Sequence, residues 1–192
     1  MIEETDKKLS VTQVKSLRVS AFDSKWGTLT IHKGLLLFTI DANQDVEGFS
    51  IISSPTPVQP LPAIFSLPFF QCVALYKRMY CCQQSALELF FRKGGFTDSL
   101  YLFFTERKIR DRVYRKIASR LPESAIVQKL SESNIDLIKR LKLDIQWQSG
   151  KLPNFDYLMQ LNIASGRSIQ DITHYPVFPW ILKRTSAFLD LK

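Results

Sequence analysis

Strand-like segments in the first half of this chain are followed by one amphipathic helix, and that order limits the folds the chain can adopt. Residues 26–31 (WGTLTI) alternate as the two faces of a strand do, and residues 35–40 (LLLFTI) return as a second strand. Between them, His32-Lys33-Gly34 predicts a tight turn in which Gly34 has a positive φ. The preceding residues, 11–20, alternate more loosely and predict a further strand.

Prolines separate this hairpin from a second group of strands. The stretch from Ala42 to Pro68 contains five prolines, which argue against a central strand and predict a long loop. Three further strands are predicted over residues 72–80, 86–92 and 99–104, because these segments are rich in aromatic and aliphatic residues. Gly94-Gly95 is predicted to be the turn that joins the last two into a hairpin.

The helix that follows is predicted to close the fold. Thr105 is expected to be its N-cap, and Pro122 follows its end. Its apolar residues recur at helical spacing and form one stripe, comprising Ile109, Val113, Tyr114, Ile117, Ala118 and Leu121. Strands followed by a single amphipathic helix predict an α+β fold, a PH-like β-barrel capped by a C-terminal helix.

The net charge of +8 is compatible with nucleic acid, an anionic membrane or an acidic partner. Much of this charge lies on the same helix, at Arg107, Lys108, Arg110, Arg112, Arg115, Lys116 and Arg120, and a solvated helix face is the simpler interpretation. No apolar run reaches the roughly 20 residues of a membrane helix, and the N-terminus does not resemble a signal peptide. Three cysteines, an odd number, favour reduced thiols in a cytoplasmic protein.

The sequence does not suggest an enzyme. The two histidines, His32 and His174, lie far apart, and neither has a cysteine near it at metal-ligand spacing. We therefore expect no catalytic residue, no metal and no cofactor.

Strand aromatics could in principle stack on nucleic-acid bases. Here the aromatic residues fall on both faces of the predicted strands, and no basic residues alternate with them. Core packing is therefore the better interpretation, and nucleic acid is not an expected partner. The aromatics concerned are Phe90, Phe91, Tyr101, Phe103 and Phe104.

The remaining chain has a different, mostly helical pattern. Ser131 or Ser133 is predicted to open a short helix, whose apolar residues are Ile135, Ile138, Leu141 and Ile145. Residues 146–151 are predicted to be a linker. A further helix is expected to start at Asn154 and to end with Gly166 at the C′ position.

Residues 154–182 (NFDYLMQLNIASGRSIQDITHYPVFPWIL) resemble the opening of a BEACH domain, and YPVFPW at 175–180 is close to a signature of that family. Residues 85–91 (SALELFF), with Arg78 and Tyr80, resemble the PH-like domain that precedes BEACH. The resemblance implies a PH-like domain over 11–121, a linker with a short helix over 122–150, and the N-terminal fragment of a BEACH domain over 151–192.

BEACH proteins are large scaffolds, so the resemblance implies a non-catalytic adaptor in vesicle, lysosomal or autophagic membrane traffic. It implies a cytoplasmic location, with peripheral association with endomembranes left open. The implied partners are other proteins, including the BEACH and WD-repeat regions that such proteins carry. The expected interface between PH-like and BEACH parts comprises Arg78, Tyr80, Asn154, Tyr157, Arg167, Tyr175, Phe178 and Trp180.

The alternative function is a lipid sensor in which the PH-like barrel holds a phosphoinositide. Its candidate anion-binding residues lie around the first hairpin, at Lys15, Arg18, Lys25 and Lys33. The adaptor is preferred because these cations are scattered, and because the resemblance implies a PH-like domain that is not a typical lipid binder. The segment Asn154–Lys192 contains more apolar surface than it can bury itself. We therefore expect partial docking on the barrel, and a chain that is a fragment, a truncated gene product or a partial gene model.

Overall fold

The computed structural model describes residues 12–41, 64–92 and 99–178. Within these residues, eight strands form one sheet in the order β4-β3-β2-β1-β7-β6-β5-β8, and all neighbouring pairs are antiparallel except β5–β8. The strands are β1 (Thr12–Val19), β2 (Lys25–Ile31), β3 (Leu35–Ile40), β4 (Ile64–Pro68), β5 (Cys72–Tyr80), β6 (Gln83–Phe91), β7 (Ser99–Phe103) and β8 (Ile126–Val127). The helices are α1 (Arg107–Ala118), α2 (Asn134–Leu141), α3 (Leu143–Gln148) and α4 (Asn154–Ala164).

The β2–β3 hairpin forms as predicted, but its turn does not use glycine in the predicted way. The His32 amide donates to the Leu35 carbonyl at 3.0 Å, while Gly34 is absent from the positive-φ residues of the described chain. The essential glycine is instead Gly27 in β2. A Cβ there would lie 2.4 Å from the Thr39 carbonyl oxygen and 2.6 Å from Cζ of Phe38. Gly27 therefore permits the close approach of β3.

Part of the predicted proline loop is a strand. All of residues 64–68 pair with β3, from Leu35↔Pro68 to Thr39↔Ile64. Within the described chain β4 is the edge of the sheet, where a terminal proline removes no interior ladder bond. The other four prolines of the predicted loop, and the predicted Gly94-Gly95 turn, lie outside the described residues.

The sheet curls around a single core, so the predicted PH-like barrel with its helical cap is confirmed. Leu29 and Phe38 from the first half of the sheet, and Leu87 and Leu102 from the second half, belong to one buried cluster. The two halves meet where the 3-10 turn Phe69–Gln71 leads from β4 to β5, two strands that are not hydrogen-bonded neighbours. Within the described chain, the barrel is therefore not closed by hydrogen bonds between β4 and β5.

Helix α1 closes the core with the predicted apolar stripe. Val113 and Ile117 are fully buried, and Ile109, Ala118 and Leu121 pack at the edge. The predicted N-cap is wrong: it is Glu106, not Thr105, because the Phe104 amide still donates to the Ser85 carbonyl at 3.0 Å and delays the helix.

The second half of the sheet is also covered on its outer face. In β6 the residues from Ser85 to Phe91 are all buried, because α2 and α4 pack against the side opposite the core. This second cluster contains Tyr76 and Phe90 from the sheet, with Leu137 and Ile163 from the helices. The predicted partial docking of the C-terminal region on the barrel is therefore present, and it gives β6 two buried faces.

The predicted linker contains more structure than expected. Helix α2, with Ser133 as its N-cap, is the predicted short helix, whereas strand β8 was not predicted and α3 covers part of the 146–151 segment that was predicted to be a linker. Ile135 and Ile145 are 65% and 55% exposed, so the predicted apolar stripe is wrong at both ends. Leu137 takes the buried position instead, because the docked face of α2 is set by the sheet beneath it.

Helix α4 begins and ends where the sequence indicates. The Gly166 amide donates to the Ile163 carbonyl at 3.1 Å, and the Arg167 amide donates to the Asn162 carbonyl at 2.9 Å. With Gly166 at φ +100°, these two bonds make a Schellman motif. This C-cap turns the chain back toward the sheet.

Replacing Val113 by Asp is expected to lower the free energy of unfolding by at least about 3 kcal/mol, because it places a carboxylate among core side chains. Urea denaturation measures the change. Arg112→Asp alters charge at the neighbouring, exposed position and should leave the midpoint nearly unchanged. Equal midpoints for Val113→Asp and the parent would mean that the helix does not cap the core.

Cysteine accessibility gives a second test of the fold. Cys72 is buried, and burial raises the pKa of its thiol to about 12, while Cys81 and Cys82 are exposed in the β5–β6 turn. Since the thiolate is the reactive form, iodoacetamide at pH 8 should alkylate Cys81 and Cys82 and spare Cys72. Peptide mass spectrometry identifies the sites, and denatured protein serves as the control. Rapid native labelling of Cys72 would contradict the position of β5.

Candidate functional site at the sheet–helix junction

A buried ion pair lies on the outer face of the sheet. Tyr76 of β5 is directly opposite Glu88 of β6, and Arg78 lies two residues further along the same face. This diagonal placement brings Nε of Arg78 to 2.6 Å from Oε2 of Glu88, with both side chains 1% exposed. The Arg78 guanidinium also lies 5.0 Å from the centre of the Tyr76 ring. Burial raises the pKa of Tyr76 to about 12.

The second oxygen of Glu88 joins two distant parts of the chain. Its Oε1 accepts hydrogen bonds from the Ser99 hydroxyl at 2.7 Å and from the Ser168 hydroxyl at 2.6 Å. Ser99 begins β7, whereas Ser168 lies beyond the C-cap of α4 and is 2% exposed. A single buried carboxylate therefore connects the PH-like sheet to the segment that follows α4, here called the return segment (residues 165–178).

A second polar connection runs through the linker. The Lys77 amide donates to Oε1 of Gln128 at 3.0 Å, and the Gln128 amide group donates to Oδ1 of Asn134 at 3.0 Å. Nδ2 of Asn134 in turn donates to the Ser165 carbonyl at 2.9 Å. The Lys77 ammonium donates to the carbonyls of Leu130 and Glu132 at 2.9 and 2.6 Å. Burial, followed by the charge of Arg110, lowers the pKa of Lys77.

The return segment is also braced from within. Asn162 donates to the Val177 carbonyl at 2.9 Å and accepts from the Val177 amide at 2.8 Å. Asp171, which is 3% exposed, accepts from the amide and hydroxyl of Thr173 and contacts Nδ1 of His174 at 3.1 Å. These contacts hold the YPV residues against α4.

The predicted interface residues divide into two groups. Arg78 and Arg167 both line the junction, and Nη1 of Arg167 donates to the Tyr175 carbonyl at 3.1 Å. Tyr80 lies on the same sheet face but packs on the rings of Tyr101 and Phe103, with centroids 6.3 and 5.3 Å away.

The other predicted interface residues lie elsewhere. Tyr157 stacks on Trp147 at 5.0 Å, and Oδ1 of Asn154 accepts from Nε1 of Trp147 at 2.7 Å. Phe178 stacks on Phe155 at 5.7 Å, while Tyr175 is 50% exposed. Trp180 lies outside the described residues.

Sequence reasoning found Arg78 and Arg167 but missed the partners that bind the junction together. Glu88 was the available signal, because it is a lone carboxylate within the apolar strand ALELFF. A charge in such a strand needs a buried partner if both strand faces are covered. Ser168, Gln128, Asn134 and Asn162 carry no comparable signal, since short polar residues are ordinary in loops and at helix ends.

The four candidate anion-binding residues do not converge. Lys15 forms an ion pair with Asp41 at 3.0 Å, and Lys25 forms one with Asp23 at 3.4 Å. Arg18 is the neighbour of Lys25 in the β1–β2 register and lies 4.4 Å from the centre of the Phe65 ring. Lys33 lies in the turn at the opposite end of β2.

Comparison with known proteins identifies related sequences for both parts of the chain. The family model for the PH domain associated with Beige/BEACH matches residues 17–118, and that for the Beige/BEACH domain matches residues 145–192. Within the described residues, no helix is long and apolar enough to cross a membrane.

Individual relatives match over much of this chain. The lysosomal-trafficking regulator of Homo sapiens is 33% identical over 166 residues, which are 86% of this chain and 4% of that protein. A neurobeachin homolog of Caenorhabditis briggsae is 36% identical over 125 residues, 62% of this chain and 5% of that protein. The chain thus spans about a twentieth of the length of these relatives. The DH/PH domains of p115-RhoGEF are a solved structure with a TM-score of 0.41 and 12% identity, covering 59% of this chain and 31% of that one.

Replacing Ser168 by Ala tests the connection across the junction. A hydrogen bond to a carboxylate contributes about 1.5–3 kcal/mol, so its loss should loosen the return segment without unfolding the barrel. Hydrogen exchange should speed up in residues 165–175 and stay unchanged in β6 and β7. Ser131→Ala, at an exposed serine of the same junction, is the matched control. Identical exchange rates in the two variants would show that the Ser168 hydroxyl does not hold the return segment to the sheet.

Proposed function

This chain belongs to the family of PH domains associated with Beige/BEACH, and we propose that it is a non-catalytic adaptor that acts through protein–protein contacts in vesicle, lysosomal or autophagic membrane traffic. The observation that carries the proposal is the Glu88–Ser168 contact, which makes the PH-like sheet and the return segment one composite surface. Such a surface presents residues of both parts to the same partner.

The polar chemistry of the junction supports a structural use. Glu88 accepts three hydrogen bonds, and Lys77, Gln128, Asn134 and Asn162 are engaged with neighbouring segments of the chain. Side chains held in this way stabilise a geometry, and Glu88, which is 1% exposed, is not within reach of a substrate proton. The non-catalytic part of the proposal rests on this engagement.

Apolar side chains on the C-terminal part indicate where protein partners bind. Phe155 is 60% exposed, and Ile172 and Val177 are 61% and 56% exposed. Phe155 stacks on Phe178, the sequence neighbour of Val177, and exposed apolar side chains grouped in this way favour a protein interface. The proposed partners are BEACH and WD-repeat regions of the family, in a cytoplasmic protein that associates peripherally with endomembranes.

Direct binding tests this proposal. The purified BEACH and WD-repeat regions of a BEACH-family protein, immobilised on a biosensor, should bind the chain, and Phe155→Asp should weaken that binding about tenfold or more. Phe22→Asp, at a residue 83% exposed in the β1–β2 loop, is the matched control. Absence of binding, or equal loss in both variants, would contradict the adaptor.

Lipid binding separates the adaptor from the phosphoinositide sensor. Because the first-hairpin cations are scattered and two are in ion pairs, vesicles containing phosphoinositides should retain the chain weakly, and retention should fade as salt rises. Sedimentation with vesicles of several headgroup compositions measures this. Tight, headgroup-selective binding at physiological salt that is lost in Arg18→Ala or Lys25→Ala would favour the sensor.

A further inference from the structure

A groove of about 650 Å³ lies at the junction, beside the engaged residues. Its walls come from β5, the first turn of α1, the linker at 130–134 and the return segment. This size is typical of pockets that bind small ligands or single side chains of a partner. Its lining is rich in cations, contributed by Lys77, Arg78, Arg107, Arg110 and Arg167.

Two of these arginines are buried, and Arg78 has unused hydrogen-bonding capacity. Arg78 is 3% exposed; its Nε and Nη1 have acceptors, but Nη2 is buried without a hydrogen-bond partner in the described structure. Arg110 is also 3% exposed, and its Nε is paired with Oδ1 of Asp111 at 2.7 Å. A buried guanidinium donor that lacks an acceptor is costly, so an anion that supplied an acceptor to Nη2 of Arg78 would be stabilised there.

The acidic groups near the groove do not balance its cations. Glu132 is the one carboxylate among the lining residues, and it is bound by Arg140 at 2.7 Å, which lowers the pKa of Glu132. Asp111 lies against Arg110, and His174 of the lining contacts Asp171. Arg107, at the exposed start of α1, has its positive charge beside Lys77 and Arg110 and contributes to lowering the pKa of both. Arg78 is paired with Glu88 and Arg110 with Asp111, so Lys77, Arg107 and Arg167 remain as the cation excess of the groove.

We propose that this groove binds a phosphorylated side chain within an acidic segment of a partner protein. Guanidinium groups match phosphate oxygens in fork geometry, and a phosphate carries close to two charges at neutral pH, which suits the cation excess better than one carboxylate. A protein segment fits better than a membrane, because Arg78 and Arg110 are each 3% exposed, and a side chain can enter a groove between elements where a flat bilayer cannot. The proposal rests on the proposed adaptor function, for which it specifies the ligand chemistry.

Binding of a defined phosphopeptide tests the site. The probe is fluorescent Asp-Glu-phosphoserine-Glu-Asp, titrated with the full chain and followed by anisotropy, with the unphosphorylated peptide beside it. We expect saturable binding that requires the phosphate. Arg107→Ala should weaken it about tenfold, as expected for loss of one charge-assisted contact. Arg107 is exposed at the start of a helix, so its removal leaves the fold intact.

Arg115→Ala is the matched control, since it removes the same charge from an exposed position of the same helix outside the groove. Equal weakening by Arg115→Ala and Arg107→Ala, equal affinity for the two peptides, or no binding of either peptide would each overturn the site. If phosphoinositide vesicles bind the chain and lose that binding in Arg107→Ala, while the phosphopeptide does not bind, the ligand of the groove is a lipid and not a protein. Biosensor binding to the BEACH and WD-repeat regions reports on the adaptor separately, so loss of the peptide site alone leaves that function standing.

Discussion

The Arg78–Glu88 ion pair is the contact on which the arrangement of this chain depends. Both groups are almost fully buried on the outer face of the sheet. Removing one partner of such a pair generally costs roughly 3–5 kcal/mol, because the other charge is left without compensation. Arg78, Ser99 and Ser168 all donate hydrogen bonds to Glu88. Since Ser168 is one of those donors, the return segment supplies one of the hydrogen bonds that stabilise the Glu88 carboxylate of the PH-like sheet.

This dependence explains why the second half of the sheet is buried on both faces. The inner face packs on Val113 and Ile117 of α1, and the outer face packs on α2 and α4 around Tyr76 and Phe90. Buried apolar area drives the docking of the helices, and the polar contacts of Glu88 and Gln128 select one register for it. The same docking encloses the cationic groove, because the linker and return segment build its second wall against β5 and α1.

The fold was largely predictable from sequence, while the junction was not. Alternation in β2 and β3, the aromatic strands β5 to β7, the α1 stripe and the Gly166 cap are local patterns whose physical causes act within a few residues. The errors arose where distant contacts decide: β4 is a strand because β3 pairs with it, and Leu137 is buried in place of Ile135 because the sheet lies beneath α2. Of the predicted interface residues in the described chain, Arg78 and Arg167 reach the groove, whereas Asn154 and Tyr157 contact Trp147 instead.

By itself, the sequence determined the strand and helix types, the apolar face of α1 and the resemblance that names the family. Only the tertiary structure decided which charges are buried, which serines solvate them and where cations accumulate. The physical reason is that periodicity records which face of an element is apolar, whereas the partner of a buried charge is set by contacts between residues far apart in the chain. Ser168 and Glu88 are 80 residues apart, and nothing in the local sequence around Ser168 marks it as a donor to a buried carboxylate.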